Sequence, residues 1–324
     1  MTKPKVFVTR IIRDAGLTLV NDFCNAEVWQ DDLPPSRDVL LEKVRGVDGL
    51  LCLLTDRIDG ELRDAGGPQL KVVSNHAVGF DNVVVPDATA RGIPVGNTPG
   101  ILTDATADFT FALLISAARR VTEAERYLRD GKWKTWGPSI LLGADFVGKT
   151  LGLVGFGRIG RAVAKRAMGF DMRVIYYDPE TVPEHGVTPV DSLDTLLKES
   201  DFVSLHTPLT AETRHMVNAE FLEKMKSNAI LVNTSRGPVV DQDALYQALR
   251  SNQIFAAALD VTDPEPLPMD SPLLTLENCL IAPHIASASE KTRDDMARLA
   301  ANNLIAGLKG ERLPHCVNPE VYKD

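Results

Sequence analysis

The chain has 324 residues, a length that predicts about two domains of ordinary size. Hydrophobic residues make up 44% of it and charged residues 24%, a composition that excludes a disordered chain and a collagen-like repeat. The formal net charge of −9 argues against a nucleic-acid partner bound on a broad face, although a local basic pocket remains compatible with it.

The cysteines and the N-terminus indicate the compartment. Cys24, Cys52, Cys279 and Cys316 stand far apart and form no CxxC pair, so we interpret them as buried or incidental thiols in a reducing compartment. The N-terminal segment shows no targeting signal, and no apolar run approaches the ~20 residues of a membrane span. We therefore expect a cytoplasmic protein with no membrane partner.

Short apolar runs alternate with helix-like stretches along the chain. Many runs are continuously apolar, which is typical of strands in a parallel sheet covered on both faces. The alternation indicates βαβ units, and we expect an α/β fold with two doubly wound domains. The predicted strands are Lys5–Val8, Gly49–Leu54, Leu70–Ser74, Thr150–Phe156, Arg173–Asp178, Phe202–His206, Ala229–Asn233, Phe255–Val261 and Cys279–Ala282.

Two helical stretches, Asp104–Arg120 and Glu123–Arg129, separate these strands into two groups. The apolar face of the longer stretch is predicted to include Phe109, Ala112, Leu113 and Ser116. Because the nucleotide-binding glycines described next come only after residue 150, a separate N-terminal domain must precede them. A last helix at about Ser289–Lys309 has apolar residues at helical spacing, and Gly310 provides its stop.

The segment Gly152-Leu-Val-Gly-Phe-Gly-Arg-Ile-Gly160 contains a GxGxxG motif. The motif alone is a weak signal, but here it closes a predicted strand and opens a predicted helix at Ile159–Gly169. Gly155 permits the tight turn, Gly157 lets the backbone approach a pyrophosphate, and Gly160 permits close helix–strand packing. The alternative is a plain strand–turn–helix without a ligand, which this context disfavours.

Asp178 ends the next predicted strand, where dinucleotide-binding domains place an acid that accepts hydrogen bonds from the adenosine ribose. A carboxylate there would repel the 2′-phosphate of NADP, and Pro179-Glu180-Thr181 offers no replacement cation. We therefore predict that the chain binds NAD(H) in preference to NADP(H).

Three polar segments follow later predicted strands, at the edge where doubly wound sheets bind ligands. They are Asn233-Thr-Ser-Arg-Gly-Pro238, Asp260-Val-Thr-Asp-Pro-Glu-Pro266 and Ala282-Pro-His-Ile-Ala-Ser287. With the glycine motif, they have the order and spacing found in the D-2-hydroxyacid dehydrogenases, which the chain resembles over essentially its full length. It looks most like the glyoxylate/hydroxypyruvate reductases of that family. The segments that indicate this subgroup are Val78-Gly-Phe-Asp81, Leu102-Thr-Asp-Ala-Thr-Ala-Asp108, Gly131-Lys-Trp-Lys-Thr-Trp136 and Leu245-Tyr-Gln-Ala-Leu249.

The resemblance implies a catalytic set of Arg236, Glu265 and His284, with no metal. Arg236 would hold the carboxylate of a 2-oxo acid and polarise its carbonyl group, since a guanidinium fork matches a planar carboxylate. His284 would be the general acid in reduction and the general base in oxidation, because histidine changes its charge near neutral pH. Glu265 would pair with His284, orient its ring and stabilise the imidazolium.

Each catalytic candidate also has an interpretation without catalysis. A lone Arg after a strand is usually a surface charge, Asp-Pro-Glu-Pro suits a stiff surface loop, and a lone His is usually structural. Among the other histidines, His206 could contact the cofactor from a strand end. His76 precedes the predicted carboxylate-binding loop and is the one real competitor of His284.

The resemblance also implies the residues that contact each ligand. The backbone amides of Val78 and Gly79 would bind the substrate carboxylate, and Ser287 could touch the substrate. Asn75-His76 departs from the usual family pattern and leaves the substrate preference open. The implied cofactor-binding residues are Gly155, Gly157, Arg158, Ile159, Gly160, Asp178, Thr106, His206, Thr207, Pro208, Thr213, Thr234, Ser235 and Asp260.

The resemblance places a discontinuous, flavodoxin-like substrate (lid) domain at residues 1–100 and 287–324, and a Rossmann NAD-binding domain at residues 101–286. The cleft between them would close around both ligands. Relatives form homodimers through the Asp104–Arg120 helix and the loop after it. Trp136 matches a tryptophan that reaches the neighbouring subunit's active site in relatives, although packing alone would equally explain it.

The expected substrate is a small 2-oxo acid, glyoxylate or hydroxypyruvate, reduced with NADH to glycolate or D-glycerate. Two alternatives stay open. One is another dehydrogenase with the same catalytic set, acting on D-lactate, D-3-phosphoglycerate or phosphite. The other is an NAD(H)-sensing, corepressor-like scaffold, whose longer termini we do not expect in this chain.

Overall fold

A computed structural model describes residues 2–180 and 184–322 of the chain. The chain divides into two compact units, of which the first comprises Met1–Leu102 and Ala288–Asp324 and the second comprises Thr103–Ser287. The predicted domain limits fall one or two residues before these, and the functions assigned to the two domains stay predictions. Thr181, part of the segment predicted to offer no cation, lies outside the described residues.

Each predicted strand overlaps a strand of the structure, and most predicted strands run one or two residues too far. Three further strands (β2, β5 and β8 in the numbering below) are absent from the prediction. They lie at sheet edges, and a strand exposed along one edge needs no continuous apolar run. Over the described residues, the strands are β1 (Lys5–Val8), β2 (Asn25–Val28), β3 (Gly49–Cys52), β4 (Val72–Asn75), β5 (Val95–Gly96), β6 (Thr150–Val154), β7 (Arg173–Tyr177), β8 (Val187–Pro189), β9 (Phe202–Leu205), β10 (Ile230–Asn233), β11 (Ala256–Leu259) and β12 (Cys279–Ile281).

The predicted last helix is confirmed, with Ser289 as its N-cap and Gly310 after its end at a φ of 75°. Gly310 adopts the left-handed conformation that terminates many helices. In the described part of the chain, the α-helices are α1 (Asp14–Phe23), α2 (Arg37–Lys43), α3 (Gly60–Gly66), α4 (Val85–Ala90), α5 (Thr103–Ala118), α6 (Val121–Arg129), α7 (Arg158–Met168), α8 (Leu193–Glu199), α9 (Ala219–Lys224), α10 (Gln242–Arg250) and α11 (Glu290–Lys309).

The predicted apolar face of α5 is wrong at Ala112. Leu113 is buried, but Ala112 is exposed, and Phe109 and Ser116 are only partly buried. The helix packs against α7 and over β10 and β11, so it is enclosed on more than one side. Such a helix is apolar around most of its circumference, and its periodicity therefore does not single out one face. The buried residues of α5 are Thr106, Ala107, Thr110, Phe111, Leu113, Leu114, Ala117 and Ala118.

The first unit is a five-stranded parallel sheet with the strand order β2-β1-β3-β4-β5. This is the order of the flavodoxin-like doubly wound folds. One core layer lies between the sheet and the pair α1 and α11, and the other lies under α2, α3 and α4. Helices α1 and α11 approach so closely that a Cβ atom on Gly16 would lie 2.3 Å from the carbonyl oxygen of Ala297.

The second unit is a seven-stranded parallel sheet with the order β12-β11-β10-β9-β6-β7-β8. Read from the β8 edge, the first six strands have the Rossmann order, and β12 is added at the opposite edge. The chain runs outward from β6 to β8 and then returns to β9 on the other side of β6. The carboxyl ends of β6 and β9 therefore form the switch point at which such sheets bind ligands.

Cys24, Cys52 and Cys279 are buried, as the sequence predicts, whereas Cys316 is partly buried, and the reducing compartment stays a prediction. Among the described residues, no helix combines the length and the apolar character that crossing a membrane requires.

Candidate active site

The three motif glycines form a turn that larger residues would disrupt. Gly155 has a φ of 91°, and a Cβ atom on it would lie 2.7 Å from the carbonyl carbon of His206. A Cβ atom on Gly160 would lie 2.5 Å from the carbonyl oxygen of Gly155. At Gly157, by contrast, a Cβ atom would meet nothing within 4 Å. The turn is therefore tight on its inner side and open beside Gly157.

The residues after this turn fit the dinucleotide that the motif implies. Helix α7 begins at Arg158 with Gly157 as its N-cap, and neither a side-chain cap nor an acidic residue occupies its first turn. Its first N–H groups carry partial positive charge and have no partner within the helix. The buried Oγ1 atom of Thr207, after β9, also has no hydrogen-bond partner. A pyrophosphate beside Gly157 would meet the N–H groups of this helix end.

Asp178 joins the ends of β6 and β7. Its Oδ2 atom accepts the N–H of Phe156 at 2.6 Å, and its Oδ1 atom accepts the N–H of Glu180 at 2.9 Å. Phe156 lies between the first two motif glycines, so the carboxylate holds the glycine turn directly. Each carboxylate oxygen can accept more than one hydrogen bond, which leaves capacity for ribose hydroxyls.

His284 and Glu265 form a hydrogen-bonded pair. The Nδ1 atom of His284 lies 2.9 Å from Oε2 of Glu265, and Oε1 of Glu265 accepts the N–H of Thr262 at 3.0 Å. Burial would raise the pKa of Glu265, but His284, the Thr262 N–H and the Arg236 charge together hold it below its ordinary value. The carboxylate is therefore ionised near neutral pH and orients the imidazole through Nδ1, which leaves Nε2 for another partner.

Asp260 holds the backbone on which His284 lies. Its Oδ1 and Oδ2 atoms accept the N–H groups of Ile285 and Ala286 at 2.7 and 2.8 Å. Its carbonyl oxygen accepts the N–H of His284 at 2.8 Å. His284 itself has a φ of 54°, an uncommon left-handed conformation for a histidine. Burial raises the pKa of Asp260 above its ordinary value, although the two N–H groups oppose this. Sequence reasoning did not assign Asp260 this supporting contact.

Asn233, at the end of β10, organises the segment that contains Arg236. Its Oδ1 atom accepts the N–H and the hydroxyl of Ser235 at 2.9 and 2.8 Å, and its Nδ2 atom donates to the Arg236 carbonyl at 2.9 Å. Arg236 is partly buried, and its Nη1 atom donates to the Ser235 carbonyl at 2.9 Å. Sequence reasoning missed Asn233, although an asparagine side chain bonding two residues ahead is a common turn device.

Three buried threonines join α5 to the same segment. The Thr110 hydroxyl donates to the Thr106 carbonyl at 2.8 Å and lies 2.8 Å from the Thr234 hydroxyl. Thr106 and Thr234 belong to the predicted cofactor-binding set, whereas Thr110 does not. Its signal in the sequence is a hydroxyl between the two apolar residues Phe109 and Phe111.

His206 and the competing candidate His76 both lack a carboxylate partner. Burial lowers the pKa of His206 to about 3, and its Nε2 atom lies 2.9 Å from the Ser204 hydroxyl. Burial and the Arg293 charge lower the pKa of His76 to about 4, and its Nε2 atom has no hydrogen-bond partner. Both imidazoles are therefore neutral near pH 7, which argues against either as the proton donor.

The remaining predicted site residues are placed as follows. Thr213 donates to the Pro208 carbonyl at 2.7 Å in the loop after β9, and Ser287 is buried beyond the His284 segment. Trp136 lies in a loop and is 78% exposed. Val78 and Gly79 belong to the first unit. Within the described residues, no group of three or more His, Cys, Asp or Glu could hold a metal ion.

Comparisons with known proteins agree with this arrangement. Residues 111–286 match the family described as "D-isomer specific 2-hydroxyacid dehydrogenase, NAD binding domain". A glyoxylate reductase from Korarchaeum cryptofilum is 56% identical over 99% of this chain and 98% of its own length.

Solved structures show the same fold over the whole chain. A protein from Thermus thermophilus has a TM-score of 0.92 at 50% identity, covering 97% of this chain and 99% of its own. An NADPH-dependent glyoxylate/hydroxypyruvate reductase from Sinorhizobium meliloti, in complex with NADP and malonate, has a TM-score of 0.87 at 32% identity. This similarity covers 100% of this chain and 99% of that one. With the matched family domain and relatives of this identity, the chain belongs to the D-isomer specific 2-hydroxyacid dehydrogenase family.

Proposed function

We propose that the protein is an NADH-dependent reductase of small 2-oxo acids, with glyoxylate and hydroxypyruvate as its substrates. The observation that supports this most is the His284–Glu265 pair at 2.9 Å, in the same unit as a dinucleotide-binding turn. A histidine with an ionised carboxylate behind it is a suitable acid for a carbonyl reduction. The glyoxylate reductase names of relatives that match almost the whole chain support the substrate class.

In the proposed mechanism, His284 is the general acid. Glu265 holds Nδ1 and stabilises the imidazolium, so Nε2 donates its proton to the carbonyl oxygen of the substrate. Arg236 binds the substrate carboxylate through its guanidinium fork and polarises the carbonyl group. Val78 and Gly79 bind the carboxylate through their N–H groups, and Ser287 contacts the substrate. Bound NADH supplies the hydride.

The residues that would hold the cofactor surround the glycine turn and the ends of β7, β9 and β10. The N–H groups near Arg158 and Ile159 would meet the pyrophosphate, and Asp178 would accept hydrogen bonds from the adenosine ribose. Thr106, Thr234 and Asp260 would lie nearer the nicotinamide. The remaining members of this set are Gly155, Gly157, Gly160, His206, Thr207, Pro208, Thr213 and Ser235.

The Glu265→Gln variant should lower kcat for reduction. Its amide keeps the shape of the side chain but loses the charge that lies behind the His284 ring and orients it through Nδ1. We expect kcat to fall by about tenfold or more. The measurement is kcat for glyoxylate with saturating NADH. A wild-type kcat in the folded variant would contradict the role of the carboxylate.

Asp178 should determine the cofactor preference. We expect wild-type kcat/KM to be at least about tenfold higher with NADH than with NADPH, because the carboxylate repels a 2′-phosphate and accepts from a 2′-hydroxyl. Asp178→Ala should lower this ratio by about tenfold or more. Glu180→Ala, which removes a neighbouring exposed carboxylate, is the matched control. A wild-type preference for NADPH would contradict the proposal.

We propose that the chain forms a homodimer through the region of α5, α6 and the loop after them. Large apolar side chains are exposed there, and monomeric soluble proteins rarely expose large contiguous apolar patches. Light scattering should give twice the mass of one chain, and a monomer at micromolar concentration would contradict this proposal. The exposed side chains are Val121, Leu128, Trp133, Trp136, Ile140, Leu142 and Val147.

The substrate proposal is tested by NADH oxidation with glyoxylate, hydroxypyruvate, pyruvate and 3-phosphohydroxypyruvate. The proposal predicts that the first two acids give the highest kcat/KM. A preference for pyruvate or the phosphorylated acid would keep the family chemistry and replace the substrate. No turnover of any acid, with NADH still bound, would favour phosphite oxidation or the scaffold function.

A further inference from the structure

The loop after β4 has three successive backbone carbonyls that each accept a hydrogen bond from within the first unit. Two of the donors are side-chain amides and the third is a backbone N–H. The bonds run from the Thr98 N–H to the Ala77 carbonyl at 2.9 Å, from Asn97 Nδ2 to the Val78 carbonyl at 2.8 Å, and from Asn75 Nδ2 to the Gly79 carbonyl at 3.0 Å.

These bonds fix the orientation of three peptide planes. In a trans peptide, the N–H of each residue points away from the carbonyl of the residue before it. Anchoring the carbonyls of residues 77–79 therefore turns the N–H group of Val78 away from Thr98, and those of Gly79 and Phe80 away from Asn97 and Asn75. Across the described residues, no hydrogen bond uses any of these three N–H groups as its donor. Successive unpaired N–H groups of this kind make an anion-binding concavity.

The two asparagine anchors are themselves held in place. Asn75 is fully buried, and its amide exchanges hydrogen bonds with that of Asn82, whose Nδ2 atom also donates to the carbonyls of Leu53 and Asp56. The Asn97 carbonyl accepts Nδ2 of Asn303, on α11, at 2.9 Å. These hydrogen bonds hold both asparagines in place, so the loop carbonyls take the orientation that the asparagine amides impose.

We propose that Asn75 and Asn97 are positioning residues that orient the loop to bind a substrate carboxylate. By holding the Val78 and Gly79 carbonyls, they direct the N–H groups of Gly79 and Phe80 towards the anion, while the Thr98 N–H, through the Ala77 carbonyl, directs that of Val78. This inference rests on the proposed function, because the anion it assigns is the carboxylate of the 2-oxo acid. An asparagine is needed at each position, since an aspartate would place a negative charge against the carbonyl that it must hold.

The test measures carboxylate binding separately from turnover. Oxamate, an unreactive carboxylate ligand, is titrated calorimetrically into the NADH-bound enzyme, and glyoxylate kinetics are measured in parallel. Asn97→Ala should weaken oxamate binding and raise the KM for glyoxylate by about tenfold, with kcat within about threefold of wild type. NADH affinity should be unchanged. Asn278→Ala is the matched control. The Asn278 amide, like that of Asn97, donates to backbone carbonyls, here those of Leu249 and Phe255 in the second unit.

A second variant separates positioning from simple loss of packing. Asn97→Asp keeps the side-chain volume but removes the donor, so it should weaken oxamate binding at least as much as Asn97→Ala. Melting temperatures identify variants that are damaged as a whole. Wild-type oxamate affinity in either folded variant would overturn the proposal, as would an equal loss of oxamate and NADH binding. If wild-type enzyme binds oxamate but reduces no 2-oxo acid, the proposed function fails while the loop assignment stands.

Discussion

Replacement of His284 by alanine should lower kcat for 2-oxo acid reduction by about a hundredfold to ten-thousandfold, the range for a lost acid–base group. Three contacts within the folded second unit hold the imidazole and the backbone that carries it. These are the Glu265 carboxylate on Nδ1, the Asp260 carbonyl on the backbone N–H, and the Asp260 carboxylate on the next two residues. Nothing else in the described part of that unit pairs a histidine with a carboxylate.

The measurement is steady-state kcat with saturating NADH, accompanied by circular dichroism and by NADH binding to show that the fold is intact. His185→Ala is the matched control, because His185 is exposed and has no assigned role. Its kcat should equal that of the wild type. Near-normal turnover of His284→Ala would remove His284 as the acid and leave the proton donor to be sought elsewhere.

Replacement of Arg236 by alanine should reduce kcat/KM by about a thousandfold, because the substrate carboxylate would lose the bidentate hydrogen bonds and the charge of the guanidinium. Arg236→Lys should recover only part of this loss, since a lysine keeps the charge but not the fork. Asn233 holds the segment around Arg236 through hydrogen bonds that neither variant removes, so both variants should keep their backbone conformation.

These variants are compared by kcat/KM for glyoxylate and by the affinity for NADH. Arg250→Ala, which removes an exposed arginine from α10, should leave both unchanged. A loss of NADH affinity as large as the loss of kcat/KM would show that Arg236 supports the fold or the cofactor instead. Equal activity of the lysine variant and the wild type would show that charge alone is sufficient.

The central strands of both sheets and the switch point could be predicted from the sequence, because their signals are local. A strand buried on both faces, such as β6 or β9, needs a continuous apolar run. The turn at Gly155 needs glycine because His206 occupies the space of a side chain. Edge strands such as β2 have no such requirement, and the enclosed helix α5 has no single apolar face, so local patterns failed at both.

The supporting contacts of the site could not be predicted, because they join residues that are distant in sequence. The carboxylate of Asp260 reaches the N–H groups of Ile285 and Ala286 across 25 and 26 positions, and Thr110 reaches Thr234 across 124. Nothing local to Asp260 distinguishes a carboxylate that supports a loop from one that contacts a cofactor. These roles follow only from the packed arrangement of β10, β11 and β12.

The proposed reaction is tested by the reduction of hydroxypyruvate by the wild-type enzyme with NADH, followed by chiral separation of the product. We expect one D-glycerate for each NADH consumed, and loss of both in His284→Ala. Formation of L-glycerate, or binding of NADH without its oxidation by hydroxypyruvate or glyoxylate, would contradict the proposed reaction.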